Sequence, residues 1–174
     1  MKLYRGDMFK AAEHPAVDAL IITTNGFVKT NGSLVMGRGC ARVAMELWEI
    51  DKGLGTLVRQ SGNHVHHVTN VEHGENMDLA VVSFPVKPVR GDNSLERFRD
   101  WEKPVPGWAC VADVNIIKRS CDELLELAGR LQWEMVLMPK PGCGYGELSW
   151  ATVKDILATK LDGRFVVCDH MNVR

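Results

Sequence analysis

The sequence predicts an α/β protein: three layers, with a mixed central sheet and helices on both faces. Three observations carry the prediction. Apolar runs of strand length alternate with stretches of helical periodicity along the 174 residues. Two of those runs, Asp18–Thr24 and Met135–Pro139, are too continuous to have a water-facing side, as in strands buried on both faces. Each of the two leads into a glycine-containing loop and then a helix, the arrangement that places ligands beyond the strand C-termini in open α/β sheets.

The elements follow in order. Lys2–Tyr4 reads as a first strand ended by Gly6-Asp7, and residues 8–16 as a short helix or a loop. After the Asp18–Thr24 strand, Asn25-Gly26 opens a polar loop that runs to Gly39. Val43, Ala44, Leu47 and Trp48 mark a helix over Cys40–Ile50, with a stop at Asp51-Lys52-Gly53 and a second helix over Leu54–Gln60. His64–Thr69 and Leu79–Pro85 form a hairpin around His73-Gly74-Glu75-Asn76. Residues 86–109, with Pro88, Pro104, Pro106, Trp101 and Trp108, read as an irregular insertion. Asp113 caps a long amphipathic helix that ends near Gln132. The Met135 strand, a second glycine loop, a Trp150–Lys160 helix capped by Ser149 and a last strand, Arg164–Cys168, complete the chain.

Composition narrows the function classes. At 45% hydrophobic residues the chain suits one globular domain spanning 1–174. Lys+Arg is 21 against 22 for Asp+Glu, so there is no electrostatic footprint for nucleic acid. Five cysteines without a C-x-x-C pair read as reduced thiols, and the first residues lack the apolar core of a signal peptide. The expectation is a cytoplasmic protein with no membrane partner.

The second loop, Pro141-Gly142-Cys143-Gly144-Tyr145-Gly146-Glu147-Leu148-Ser149-Trp150, presents backbone N–H groups beside a helix N-terminus, a cradle for phosphate or diphosphate. The bland alternative is a tight turn. The first loop shifts the balance: the stretch ALIITTNGFVKTNGSLVMGRGCA after Asp18 resembles the first ligand loop of macrodomains, modules that bind ADP-ribose. Gly6-Asp7 followed by Met8 is similar to their N-terminal mark. Pro141-Gly142-Cys143-Gly144 with Leu148 and Trp150 resembles their second loop, nearest the branch of terminal ADP-ribose glycohydrolases. These matches stand in the family's order and cover nearly the whole chain outside residues 86–109.

That resemblance implies a macrodomain-like fold and a set of roles. Asp7 would accept from the adenine amino group beside the Met8 backbone, or only cap the following turn. Met36, Gly37, Arg38, Gly39 and Cys40 would hold the diphosphate and far ribose from one side. Gly142, Cys143, Gly144, Tyr145 and Gly146 would close over the other. Asn25 and Asn31 sit where the family keeps amides against the distal ribose; the alternative for either is a loop residue bonding its own backbone. Asp169 and His170 fall where a residue meets the adenine or its ribose.

The resemblance also implies an enzyme mechanism that this chain departs from. The glycohydrolase branch is expected to carry a nucleophilic lysine on the helix after the first loop and an assisting acid in the second loop; the aligned residues are Met45 and Gly146, with Glu147 next to the latter. In other hydrolase branches two asparagines bracket the strand end; Asn25 is present, and its partner position is Ile22. The implied function is binding of ADP-ribose or a close derivative, without cofactor or metal. The alternative is a hydrolase of ADP-ribose 1''-phosphate or of ADP-ribosyl conjugates, its partners then including ADP-ribosylated macromolecules, with Asn25, Asn31 and Glu147 as candidate catalytic residues. A third reading makes residues 86–109 a protein-interaction segment.

Three other features are read as structural. His64, His66 and His67 lack a carboxylate or thiol at ligand spacing and are taken as strand-face residues rather than a metal site. Cys143 sits where a thiol pKa falls but has no base in sequence, so it is read as packing. Trp48, Trp133 and Trp150 fit helix–sheet packing, whereas Trp101 and Trp108 would flank a ligand or partner.

Overall fold

The computed structural model describes residues 1–170, and of His170 only the backbone. In chain order the elements are β1 (Lys2–Asp7), α1 (Met8–Ala11), β2 (Ala19–Thr24), α2 (Gly39–Trp48), α3 (Asp51–Ser61), β3 (His66–His73) and β4 (Asn76–Pro85). A short ribbon, β5 (Arg90–Gly91) with β6 (Val105–Pro106), precedes α4 (Val114–Arg130), β7 (Val136–Met138), α5 (Trp150–Lys160) and β8 (Phe165–His170).

Six strands form one sheet in the order β1-β8-β7-β2-β4-β3. The first five are parallel neighbours, and β3 alone runs antiparallel, against β4. Alternation along the strands sorts the core into two layers. Ala19 and Ile21 of β2, with Ala80, Val82 and Phe84 of β4, meet Ile117, Leu124, Val153 and Leu157 of α4 and α5. Their neighbours Leu20, Ile22, Leu79 and Val81 face the opposite way, onto Met8, Ala44, Leu54 and Val58 of α1, α2 and α3. The three-layer α/β/α prediction is therefore the observed fold. Among the described residues no helix is long and apolar enough to cross a membrane.

Several boundaries differ from expectation, each for a local reason. β1 runs on through Gly6 to Asp7, because β8 supplies a parallel partner as far as His170. Asp51, Lys52 and Gly53 do not stop a helix; they begin α3, and the break lies at Glu49, whose φ of 50° is left-handed. β3 starts at His66 rather than His64 and continues to His73, paired with Asn76 across the hairpin. Residues 86–109 are not structureless: besides the β5–β6 ribbon they hold two 3-10 turns, Glu96–Phe98 and Gly107–Ala109. Both expected caps form, Asp113 accepting from the Asn115 N–H at 2.7 Å and Ser149 from Thr152 at 3.2 Å.

The helix on the β2 side fixes the first loop. Leu34 N–H donates to the Asp51 carbonyl at 2.9 Å, and Arg59 Nη2 donates to the Lys29 carbonyl at 2.9 Å. Between these two ties the loop lies directly on Gly55, where a Cβ would collide with the Gly32 carbonyl oxygen. Gly55→Ala is accordingly expected to lower stability by about 1–3 kcal/mol. Its urea midpoint should fall at unchanged slope; an unchanged midpoint would mean that the loop does not depend on this contact.

Candidate functional site

Parallel pairing brings the C-terminal ends of β1, β8, β7, β2 and β4 to one edge of the sheet, and both glycine loops leave from it. Between the loops lies a cavity of about 450 Å³, within the range of small-molecule sites. Its floor is Thr23 and Thr24 at the end of β2 with Asn25 just after it, Val86 and Lys87 after β4, and Pro139 and Lys140 after β7. One wall is Val35–Ala41; another is Gly142, Gly144, Tyr145 and Gly146; the third is Arg97, Phe98 and Trp108 from the segment before α4.

The first wall is an open helix N-terminus. Arg38 stands at the N-cap of α2 and makes no side-chain cap bond to the first-turn N–H groups beside the cavity. Such a turn favours an anion through its aligned amides. Asn25 holds this wall in shape: its Nδ2 donates to the Val35 carbonyl at 2.9 Å and its Oδ1 accepts from the Phe27 N–H at 2.8 Å. Asn31, at the exposed tip of the same loop, accepts from Ser33 N–H at 3.1 Å and does not line the cavity.

The second wall is braced from outside. Leu148 N–H donates to the Gly142 carbonyl at 3.0 Å, and Ala112 N–H to the Gly146 carbonyl at 2.9 Å. At Gly146 a Cβ would collide with the Gly142 carbonyl, so this backbone has no room for an acid where the resemblance looks for one. Glu147 adopts a left-handed φ of 61° and is exposed outside the cavity lining. Cys143 is also outside it; burial raises its thiol to about 11, and its side chain packs towards the α4/α5 layer. Tyr145, 47% exposed, spans the mouth: Arg38 lies 5.1 Å from its ring centroid and Arg97 5.9 Å.

Lys87 is the residue that sequence reading missed. It is 7% exposed, and its Nζ donates to the Tyr145 carbonyl at 2.8 Å and to the Trp108 carbonyl at 3.3 Å. Burial pushes its pKa down to about 8; the Cys110 thiol opposes that shift, Arg97 adds to it and Glu147 opposes it. Met45, where the lysine was looked for, instead packs among the apolar residues of the α2/α3 layer. Ile22, the second asparagine position, is buried in the same layer. A signal for Lys87 did exist: it stands two residues past β4, at the same sheet edge as Asn25. Assigning everything after Pro85 to an irregular segment hid it.

Asp7, Met8 and Asp169 lie at the ends of β1 and β8, to one side of the cavity, and do not line it. Asp7 Oδ1 caps α1 through the Phe9 N–H at 2.8 Å, and Met8 is fully buried. Asp169 pairs with Lys140, whose Nζ lies 5.1 Å from the Trp150 ring centroid. The three histidines are separate: His64 binds Glu123, His66 the Gly62 carbonyl and His67 Asn70. Among the described residues four cations, Arg38, Lys87, Arg97 and Lys140, line the cavity, and no carboxylate does. The site is built for an anion.

Asn25→Ala removes both bonds that shape the first wall and is expected to cost about 1–3 kcal/mol. Hydrogen exchange at the Phe27 and Val35 amides should accelerate selectively; unchanged protection would show that other contacts hold the loop.

Comparison with family models and with curated proteins gives no match. Solved structures do match. The macrodomain of Mycobacterium tuberculosis DarG superposes with a TM-score of 0.68 at 18% identity, over 97% of each chain. The macrodomain of Thermus aquaticus DarG gives 0.64 at 19%, again over 97% of each. Thermosipho africanus DarTG in complex with ADP-ribose gives 0.67 at 16%, over all of this chain and 43% of that one. The sheet order, the two layers and the loop positions together are those of a macrodomain fold, and that is the fold of this chain.

Proposed function

We propose that this protein binds ADP-ribose, or a closely related derivative, in the crevice between its two glycine-rich loops. The observation that carries this reading is the cavity itself: an uncapped helix N-terminus faces a second glycine loop, and the described residues lining the space between them include four cations and no carboxylate. A diphosphate fits such a place because oriented amides and guanidinium groups stabilise its charge without a metal. The span also suits. From β1, which ends at Asp7, to β4, which leads into Lys87, are four strand spacings, about 19 Å. That is close to the reach of an extended nucleoside diphosphate ribose, with its diphosphate above β7 and β2, adenine near Asp7 and Asp169, and distal ribose near Lys87. The similar structure of Thermosipho africanus DarTG in complex with ADP-ribose supports the same ligand.

A second reading, hydrolysis of ADP-ribosyl conjugates, is favoured by one specific observation, the buried Lys87 amine on the cavity floor. With a pKa near 8 a useful fraction is unprotonated at neutral pH. Attack by its nitrogen lone pair on the ribose C1'' forms a C–N bond and breaks the bond to the acceptor. The acceptor departs with the electron pair and takes up a proton, and water then replaces the amine to release ADP-ribose. The nucleophile in this reading is Lys87 rather than Asn25, Asn31 or Glu147, which the structure keeps in loop bonds or outside the cavity.

Calorimetry with ADP-ribose should give a dissociation constant in the micromolar range, about −8 kcal/mol; no heat at any accessible concentration would overturn the binding reading. For the second reading, an ADP-ribosylated protein is incubated with the enzyme across pH. The active form is the neutral amine, so the rate should rise about tenfold per pH unit up to about 8 and level off above it. Lys87→Met should lose turnover while ADP-ribose still binds. Turnover that survives in Lys87→Met excludes the lysine mechanism.

A further inference from the structure

We infer that the segment between β4 and α4 builds a second subsite at the Lys87 end of the cavity, in which Arg97 selects conjugates whose acceptor carries an anionic group next to the distal ribose. This rests on the ADP-ribose reading above, because the orientation of the ligand defines which end is distal. With adenine near Asp7, whatever is attached beyond the distal ribose lies past Lys87. The residues lining the cavity there are Arg97, Phe98 and Trp108.

Their arrangement is a cationic corner backed by rings. Phe98, Trp101 and Trp108 meet edge to face, with centroids 5.3–5.4 Å apart, and form a stiff wall. Arg97 lies over Phe98 at 4.8 Å and over Tyr145 at 5.9 Å. The carboxylates beside it in sequence, Glu96 and Asp100, are both paired with Arg99, so among the described residues Arg97 has rings for neighbours and no carboxylate. Arg97 is also close enough to Lys87 to help hold its pKa down. Two cations therefore share one end of a cavity that no carboxylate lines among the described residues. An anionic oxygen placed between them relieves their repulsion, whereas a guanidinium or ammonium acceptor adds a third positive charge. The amides of the two glycine loops already serve the diphosphate, which leaves this pair for a further charge. Phosphate and carboxylate share the chemistry needed.

The test uses four ADP-ribose analogues with a carbon-linked group at C1'' that resists hydrolysis: phosphonomethyl, carboxymethyl, ethyl and aminoethyl. Calorimetry on the wild-type chain should rank both anionic analogues about fivefold tighter than ethyl, and aminoethyl weaker than ethyl by a similar factor. The ratios, not the absolute affinities, are the readout, so any general effect of a substitution divides out. Arg97→Ala should bring the ratios close to one, Arg97→Glu should invert them, and Arg97→Lys should keep their order. A preference for phosphonomethyl alone identifies phosphate as the group, and equal preference identifies anionic charge as such; either supports the subsite. Equal affinities in the wild type, or an order that survives Arg97→Glu, overturns it. Silence from all four analogues and from ADP-ribose itself would instead bring down the underlying ligand reading.

Discussion

β2 is hydrogen-bonded in parallel to β7 on one side and to β4 on the other, and its residues are buried on both faces. A strand in that position has no solvent-facing side, so its polar chemistry can begin only where it ends. The same holds for β4 and β7. Parallel alignment then places those three ends side by side, which is why Asn25, Lys87 and Lys140 meet although they are far apart in sequence. The helices sort themselves by the alternation of β2 and β4, and the loops between strands and helices have nowhere to go but over that edge. The cavity is a consequence of the sheet.

Charge gives the site its character. Lys140 is neutralised by Asp169, and Arg38 and Arg97 stack on Tyr145, but Lys87 is held by the carbonyl oxygens of Tyr145 and Trp108, with no carboxylate partner among the described residues. Those two hydrogen bonds join three segments: the end of β4, the second glycine loop and the β4–α4 segment. An ammonium buried among carbonyl dipoles keeps its charge at a cost, and burial brings its pKa to about 8. An anionic ligand entering the cavity meets positive charge and open amides together. The β4–α4 segment is thus a wall of the cavity as well as a surface feature. Of the two tryptophans it carries, Trp108 lines the site and Trp101 buttresses it from outside.

Most of the fold was legible in the sequence because the signals were local. The apolar runs of β2 and β7, the caps Asp113 and Ser149, and the periodicity of α4 depend only on nearby residues. What was illegible depends on partners far along the chain. β1 extends to Asp7 because β8 pairs with it, and the β5–β6 ribbon forms because residue 90 meets residue 106. Glu49 in a left-handed conformation carries no sequence mark, so the boundary between α2 and α3 was misplaced. At the site, the glycines of both loops and their shared crevice were readable. The place of Lys87 just past β4 was readable too, but its burial and both of its carbonyl partners are tertiary facts. The asparagines illustrate the same limit: their residue type suits both a ligand contact and a loop bond, and only the fold shows that Asn25 and Asn31 make loop bonds.

A crystal structure of the protein soaked with ADP-ribose tests the central claim most directly. The account predicts the diphosphate within hydrogen-bond distance, about 2.7–3.2 Å, of amides in the first turn of α2 and in the second glycine loop. It further predicts adenine on the Asp7 side and the C1'' carbon facing Lys87. A nucleotide bound in the reverse orientation, or outside this cavity, would contradict it.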